Sequence, residues 1–355
     1  MSASPDCGAT IPHSRPDLGH QERTAVLAVL ARSWVGTGGV ASRELEQALQ
    51  TTFSRPAVLA LSSGSAALEI ALRITDVAGE LVAIPAFACA SIERSVVRAG
   101  GRPHLVDVAP DDLSFPLGAL GSLAGRCKAA ILVHQFGLPA AAAMEARDVP
   151  MTVIEDATTC AGGQLAEQAV GTFGRFSVIS FSATKMMCGA EGGALMGTYE
   201  DIELARQWAN PESDLPMDLP VLHAKMPDLS CALAHAQLKR LDYFLRRRAE
   251  IAHRYDEFLG VEIDRVVRAR GNCLGTWWRY LVTVRGDAAE ATRRGRANGA
   301  AFSRPVPTRR WEGRGKFPVS DHLHQHLVSV PLYPALSESE IVHVGETLRK
   351  VATGE

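Results

Sequence analysis

The sequence predicts an α/β protein in which a large domain, built on a mainly parallel sheet, is followed by a smaller C-terminal α+β domain. Two observations lead to this fold class. From Ala57 onward, short runs rich in Val, Ile and Leu alternate with helix-length segments, and the alternation stops after Gly197. Such near-continuous apolar runs are typical of strands that are buried on both faces of a parallel sheet.

The elements of the large domain follow in chain order from these patterns. Apolar spacing predicts two short amphipathic helices before the sheet, at Gln21–Ala31 and Ser42–Thr51. The predicted strands are Ala57–Leu61, Leu81–Ile84, His104–Val108, Ala129–His134, Met151–Glu155, Ser177–Phe181 and Ala194–Gly197. Helices of the length that a right-handed crossover needs are predicted at Ser65–Arg73, Ser91–Ala99, Pro116–Leu123 and Ala140–Arg147.

A different pattern follows the last of these strands. A helix is predicted at Tyr199–Ala209, and a long helical pattern at Leu229–Leu259 is expected to link the two domains. The smaller domain contains a predicted strand at Tyr280–Arg285 and helices at Ala288–Ala297 and Ser337–Val351. The predicted division of the chain is a flexible arm at residues 1–16, a large domain at residues 17–245 and a small domain at residues 246–355.

Composition and charge exclude several classes of protein. The chain of 355 residues is 46% hydrophobic and 21% charged, which is ordinary for a globular enzyme and excludes wholesale disorder. A net charge of −2 gives no reason to expect nucleic acid as a partner. No apolar run approaches the ~20 residues of a membrane span, and residues 1–16 lack the apolar core of a secretory signal. We therefore expect a cytoplasmic protein with no membrane partner, whose seven scattered cysteines are reduced.

A lysine and an aspartate at the ends of two predicted strands indicate the chemistry. Lys185 follows one strand and precedes the glycine-rich segment Gly189–Gly193, whereas Asp156 closes a strand upstream. A lysine can hold an aldehyde cofactor as a Schiff base, and a carboxylate on the pyridine nitrogen keeps the ring protonated as an electron sink. This pairing predicts a pyridoxal 5'-phosphate (PLP) site. Taken singly, the lysine could be exposed in a turn and the aspartate could cap the next helix.

A third segment is suited to the cofactor's phosphate. Ser62–Leu68 follows a predicted strand and opens a predicted helix, so that its backbone amides lie where the helix dipole favours an anion. An ordinary serine N-cap beside a turn glycine explains the same residues. The three features together, in this order and at the same ends of strands, are far more specific than any one of them.

The chain resembles the DegT/DnrJ/EryC1/StrS family of PLP-dependent sugar aminotransferases, which have the aspartate aminotransferase (type I) fold. The resemblance runs from Arg15 to Ala352. The blocks of sequence that carry it are Trp34–Gly38, Ser62–Leu68, Ile84–Phe87, Val106–Val108, His134–Gly137, Glu155–Ala157, Ser180–Gly193, Ala236–Leu238, Arg247–Tyr255 and Ser329–Tyr333.

The resemblance implies roles for individual residues. It implies that Lys185 holds PLP and moves the proton between substrate and cofactor, and that Asp156 pairs with the pyridine nitrogen. It implies that Gly64, Ser65 and Ser180 bind the cofactor phosphate. It also implies a homodimer whose sites are each completed by the other subunit.

Several positions depart from the family pattern. Cys89 stands where an aromatic ring usually stacks on the cofactor, and Thr159 stands where a glutamine usually lies near its phenolic oxygen. His223 replaces the asparagine that reaches the phosphate in the partner subunit, and Ser303-Arg304-Pro305 replaces His-Tyr-Pro. Lys185 and Asp156 match the family pattern, so PLP is expected to be retained. The departures do not determine which substrate is used.

The resemblance implies transfer of an amino group from L-glutamate or L-glutamine to a keto sugar, most simply a nucleotide-linked keto-deoxysugar, in antibiotic-sugar or surface-polysaccharide biosynthesis. A cyclitol or other non-sugar ketone remains open as the acceptor. So does a PLP-binding protein with weakened catalysis in a regulatory or scaffold role, which the departures at Cys89, Thr159 and His223 motivate. Two further assignments stay open: His134 as a site contact or a structural residue, and Arg304, Arg309 and Arg310 as binders of an acidic group or solvated loop residues.

Overall fold

The structure is a computed structural model that describes residues 10–261, 266–269, 271–313 and 315–353. The strands, β1 to β13, are Ala57–Leu61, Leu81–Pro85, Arg102–Val106, Ala129–Val133, Thr152–Asp156, Gln164–Leu165, Gln168–Ala169, Phe176–Ser180, Gly193–Gly197, Val266–Val267, Cys273–Leu274, Tyr280–Thr283 and Leu327–Val330. The α-helices, α1 to α11, are His20–Ala31, Val40–Phe53, Gly64–Ile74, Ala90–Arg98, Ala119–Leu123, Tyr199–Trp208, Asp228–Leu238, Leu241–Leu259, Ala288–Ala297, Pro318–His326 and Glu338–Thr353. Two 3-10 helices lie at Gln135–Gly137 and Ala141–Glu145.

A seven-stranded sheet forms the centre of the molecule, in the order β1-β9-β8-β5-β4-β2-β3. Strands β8, β5, β4, β2 and β3 pair in parallel, whereas β9 is antiparallel to both of its neighbours. Every residue of β1, β4 and β9 is buried, and so is every residue of β5 except the first. Strands that are covered by helices on both faces should be buried in this way. The predicted mainly parallel α/β sheet is therefore confirmed.

Gly193 brings two parts of this sheet together. It pairs with Leu61 at the end of β1 and with Ser180 at the end of β8. A Cβ atom at this position would lie 2.4 Å from the backbone nitrogen of Gly64, so a larger residue would push the start of α3 away from the sheet. The N-terminus of α3 and the end of β8 are thus held side by side.

The C-terminal part of the chain forms a second core. A three-stranded antiparallel sheet, β10-β12-β13, packs with α9 and α11 around Tyr255, Tyr280 and Phe302, all of them fully buried. The predicted strand at Tyr280–Arg285 and helix at Ala288–Ala297 are found here. Ser337 and Glu340 make the two reciprocal bonds of a capping box at the start of α11, 2.8 Å and 3.2 Å long.

The prediction of one long helix at Leu229–Leu259 is wrong, because the chain forms two helices, α7 and α8, with a break between them at residues 239–240. Arg240, at the interruption, is drawn into ion pairs with Asp17 and Glu22 at 3.0 and 2.8 Å. The second helix, α8, runs across the predicted domain boundary at residue 245. It has Leu241 in the core beneath the large sheet and Ile251 in the C-terminal core, so it connects the two.

Other differences from the predicted elements are smaller. The strand predicted at His104–Val108 begins and ends two residues earlier, and the helix predicted at Ala140–Arg147 is a short 3-10 helix. Residues 1–9 of the predicted arm lie outside the described residues. Residues after them are anchored on the C-terminal core: the backbone N–H groups of Ile11 and Ala301 bond the carbonyls of Gly299 and Ile11.

In the described ranges, no helix combines the length and the apolar character that crossing a membrane requires.

Candidate active site

A cavity of about 240 Å³ opens at the carboxyl ends of β5 and β8, where α/β sheets commonly bind ligands. Five of the eight predicted site residues line it: Gly64, Ser65, Asp156, Ser180 and Lys185. The other lining residues are Ser63, Leu68, Ser91, Ile92, Thr158, Ser182 and Glu191. The strand ends predicted from sequence therefore converge on a single cavity.

Lys185 lies half-buried at this cavity, four residues beyond a fully buried Phe181. Burial lowers the pKa of its amine, and the positive charge of Arg279 lowers it further, while Cys89 and Asp156 act in the opposite direction. A lysine that loses its proton more easily is a better nucleophile and a better base. The indole N–H of Trp278 donates a 2.9 Å hydrogen bond to the carbonyl of Thr184 and so holds the chain next to the lysine.

Asp156 ends β5 with its side chain buried. Its Oδ1 accepts a 3.0 Å hydrogen bond from the backbone N–H of Thr158. Across the described parts of the chain, this carboxylate forms no ion pair. A buried carboxylate is costly without a cationic partner, and the protonated pyridine nitrogen of PLP is such a partner.

The N-terminus of α3 faces the same cavity. Ser63 caps the helix by accepting a 3.0 Å bond from the N–H of Ala66, which leaves Gly64 and Ser65 as the first helical residues. A Cβ at Gly64 would lie 3.1 Å from the Cβ of Ser180, so glycine permits the helix to approach that strand closely. Free helix amides with neighbouring serine hydroxyls make an anion site. The cavity therefore holds an amine for the aldehyde of PLP, a carboxylate for its pyridine nitrogen and backbone amides for its phosphate.

The other three predicted site residues do not line this cavity. Cys89 is exposed at the N-cap of α4 and is among the groups that act to raise the pKa of the Lys185 amine, so it lies near that residue. Thr159 is buried and donates a 2.8 Å hydrogen bond to the carbonyl of His134, so its hydroxyl already has a partner. His223 is exposed on the segment beside β1, where Lys225 pairs with Leu61.

His134 and Glu155 form a fully buried pair behind the site. The Nδ1 atom of His134 accepts a bond from the N–H of Ala140, which leaves the proton on Nε2 to be donated to Glu155 at 3.0 Å. Glu155 also accepts three backbone N–H bonds, from Gly171, Phe173 and Gly174. Although burial acts to raise its pKa, these donors prevail and lower it. All of these contacts are internal, so His134 is placed as a structural residue.

The three arginines considered as binders of an acidic group all have internal partners. Arg304 donates to the carbonyl of Pro307 at 2.8 Å, and Arg309 pairs with Asp321 at 2.8 Å. Arg310 pairs with Glu93 at 2.5 Å and also donates to a backbone carbonyl.

Sequence reasoning missed several residues near Lys185. Trp278 has its ring centroid 4.8 Å from the Lys185 Nζ atom, and Arg279 stacks on the same ring at 4.2 Å. The run Trp277-Trp278-Arg279-Tyr280 enters a strand of the C-terminal sheet, and its three aromatic residues around an arginine were the available signal. Only the tertiary fold brings this run to the lysine.

The fold and the cavity are those of a PLP-dependent transferase of the type I class. The chain belongs to the DegT/DnrJ/EryC1/StrS aminotransferase family, whose model matches residues 16–349. It is accordingly a PLP-dependent aminotransferase, as the resemblance implied.

Solved structures agree with this assignment. TlmJ, an aminotransferase from Streptoalloteichus hindustanus, is 25% identical, with a TM-score of 0.85 over 97% of this chain and 99% of that one. CalS13, a sugar aminotransferase from Micromonospora echinospora, is also 25% identical, with a TM-score of 0.80 over 96% and 99%. Spr1654 from Streptococcus pneumoniae in its PLP-form is 21% identical and shows the shared fold, with a TM-score of 0.88 over 97% and 99%.

Proposed function

We propose that this protein transfers an amino group from L-glutamate or L-glutamine to a ketone on a sugar, most simply a nucleotide-linked keto-deoxysugar. The observation that carries the proposal is the convergence of Lys185, Asp156 and the N-terminus of α3 on one cavity. Membership of the aminotransferase family supports the reaction class. The likeness to CalS13, a sugar aminotransferase, supports a sugar as the acceptor by analogy. Such a reaction would serve biosynthesis of antibiotic sugars or surface polysaccharide.

In this proposal each residue of the cavity has a defined task. Bound PLP supplies an electron sink for the carbon that gains or loses nitrogen. Lys185 holds the cofactor and moves the proton at its Nζ atom, which its lowered pKa assists. Asp156 keeps the pyridine nitrogen protonated, while Gly64, Ser65 and Ser180 hold the phosphate. Cys89 would border the cofactor ring, and Thr159 would support that wall from behind through its bond to His134.

We further propose that the enzyme acts as a homodimer in the cytoplasm. His223 is exposed and absent from the cavity of its own chain, which suits a residue that completes the site of a second copy. An exposed apolar surface supports such pairing: Trp34 is 57% exposed, and Val35, Val40 and Leu30 are exposed beside it in sequence. Symmetric pairing would cover a surface of this kind.

The test follows the bound cofactor spectroscopically. Purified protein is loaded with PLP and mixed with L-glutamate, L-glutamine or L-alanine, with Lys185→Ala as the control. We expect the yellow absorbance of lysine-bound PLP to bleach with one of the first two donors in the wild-type protein alone. Turnover is then measured with nucleotide-linked keto sugars and with cyclitol ketones. A protein that binds PLP and bleaches with no amino acid would contradict the proposal and support a regulatory or scaffold role.

A further inference from the structure

The C-terminal half of α10 places two histidines side by side on one face of the helix. His322 and His326 are four residues apart, which is a spacing that brings side chains together on a helix surface. Their ring centroids lie 4.7 Å apart, and the planes of the two rings are inclined by 40°. His322 is exposed and His326 is half-buried, so solvent reaches the pair.

One ring of this pair is oriented by the backbone. The Nδ1 atom of His326 donates a 2.9 Å hydrogen bond to the carbonyl of Gly286. A neutral imidazole carries one N–H group, so this bond leaves the lone pair of Nε2 available. Histidines that bind metals characteristically donate their other N–H to a carbonyl or carboxylate, because this bond fixes the tautomer and the direction of the ring. In the described ranges His322 forms no hydrogen bond or ion pair, so its lone pair is available too.

The separation of the two rings suits a shared metal ion. Two imidazoles bound to one tetrahedral Zn²⁺, each through a nitrogen ~2.1 Å from the ion, have ring centres roughly 5 Å apart. The 4.7 Å between His322 and His326 is close to this value, so modest side-chain rotations would aim one nitrogen of each ring at the same ion. The described residues contain no cluster of three or more groups that could hold a metal. The protein would therefore supply two ligands here, and water would complete the coordination.

The histidine between them has protein partners instead. The Nδ1 atom of His324 donates to the carbonyl of Val306 at 3.2 Å, and its Nε2 accepts from Arg304 at 3.3 Å. The ring also packs edge-on against Trp311, with the centroids 5.7 Å apart. Both nitrogens of His324 are thus occupied, which sets it apart from the pair on the neighbouring face.

We propose that His322 and His326 form a binding site for a divalent transition-metal ion, most simply Zn²⁺. Imidazole is a preferred ligand of Zn²⁺, Ni²⁺ and Cu²⁺, whereas Mg²⁺ and Ca²⁺ prefer oxygen. The ion bridges two successive turns of α10 and binds the folded helix in preference, because the unfolded chain does not hold the two rings together. It thereby stabilises a helix whose Val319 and Ser320 N–H groups bond Asp107, directly after β3 of the large sheet.

The test measures Zn²⁺ binding by titration calorimetry, with protein that carries no affinity tag and no PLP. Wild type is compared with His322→Gln, His326→Gln and His253→Gln, the last at a single exposed histidine on α8. We expect one Zn²⁺ per chain, and an affinity roughly 100-fold lower in either variant of the pair, because one remaining ligand cannot chelate the ion. His253→Gln should match the wild type, and Mg²⁺ should not bind in place of Zn²⁺.

Two further readouts separate metal binding from a structural effect. Electron paramagnetic resonance with one equivalent of Cu²⁺ should show two coordinating imidazole nitrogens in the wild type and fewer in His322→Gln. Zn²⁺ should raise the urea concentration at the midpoint of unfolding in the wild type but not in this variant. His322→Gln changes an exposed side chain, and neither histidine of the pair lines the cavity of Lys185. The variant should therefore fold and take up PLP as the wild type does.

Three results would overturn the inference. One is a Zn²⁺ affinity that is unchanged in both His322→Gln and His326→Gln, which would mark adventitious binding to scattered single groups. Another is an equal loss of affinity in His253→Gln. The third is Cu²⁺ bound by a single imidazole nitrogen in the wild-type protein.

Discussion

The Nζ atom of Lys185 lies 4.8 Å from the centroid of the Trp278 ring. These two residues come from different parts of the chain, because the lysine follows β8 of the large sheet and the tryptophan precedes β12 of the C-terminal sheet. The indole N–H donates to the carbonyl of Thr184, directly before the lysine. A residue of the segment that leads into the C-terminal sheet thereby fixes the position of the lysine on which the proposed chemistry depends.

Trp278→Phe should separate this fixing role from simple packing. The phenyl ring still packs on Phe136, with which the indole now stacks at 6.2 Å, but the bond to Thr184 is lost. We expect the free energy of unfolding, measured in urea, to fall by about 1 kcal/mol because one buried hydrogen bond is removed. We also expect PLP to bind more weakly. Tyr199→Phe, at a side chain that is 68% exposed, is the control and should change neither quantity. Unaltered PLP affinity in Trp278→Phe would show that the indole does not position the lysine.

His13 should make stability depend on pH. Its Nδ1 donates to the carbonyl of Ala301, and its Nε2 accepts from the hydroxyls of Ser303 and Ser329, so the folded protein holds the ring neutral. Burial, with the charge of Arg279, lowers its pKa to about 3 from 6.5. Because the unfolded chain binds the proton more readily, this contribution to stability is complete above pH 6.5 and is lost as the pH falls toward 3.

The measurement compares the wild type with His13→Asn in urea at pH 7 and pH 5. At pH 7 the variant is less stable than the wild type because it lacks the hydrogen bonds of His13. We expect the difference between their free energies of unfolding to be about 2 kcal/mol smaller at pH 5. An equal difference at both pH values would mean that His13 takes up its proton in the folded state as easily as in the unfolded one.

Glu155 and Asp156 are adjacent, but their substitution should have different effects on stability and on PLP binding. Glu155→Gln replaces a carboxylate that accepts four hydrogen bonds with an amide that cannot accept all of them. The free energy of unfolding should therefore fall by ~3 kcal/mol. Asp156→Asn leaves that network intact and should reduce PLP affinity and turnover with little loss of stability in the unloaded protein. Urea unfolding and PLP titration of both variants check this crossover. Equal effects on stability would refute the division of roles.

Cys89 should be the thiol that reports on the cofactor. It is exposed, whereas burial raises the pKa of the other described cysteine thiols, which are Cys127, Cys160, Cys188, Cys231 and Cys273. Iodoacetamide at neutral pH should therefore modify Cys89 first, in a Cys7→Ser background, and bound PLP should slow the reaction. Peptide mapping by mass spectrometry with and without PLP measures this. Equal rates in both states would place Cys89 away from the cofactor.

The sequence predicted most strands and the cavity because both depend on local patterns. Apolar runs marked β1, β4, β5 and β8, and Gly64, Asp156 and Lys185 followed strands whose carboxyl ends share one edge of the sheet. The interruption at Arg240 had no local signal, since neither proline nor glycine is present there and the ion pairs come from Asp17 and Glu22.

Arg279 was missed for the same reason. The position of Trp278 and Arg279 beside Lys185 depends on the tertiary fold, because the lysine follows β8 of the large sheet and the other two residues precede β12 of the C-terminal sheet. The arginines that sequence alone suggested, Arg304, Arg309 and Arg310, are in fact occupied by internal partners. A local pattern can locate a strand end, but it cannot show which charges remain unsatisfied after folding.

The central claim is that Lys185 is the residue that carries PLP. Borohydride reduction of the PLP-loaded protein fixes the cofactor on whichever lysine holds it, and digestion with mass spectrometry then identifies the peptide. The account predicts one equivalent of the cofactor on the peptide that contains Lys185 and none in Lys185→Ala. Label on Lys225 or another lysine in the wild-type protein, or unchanged labelling in the variant, would contradict it.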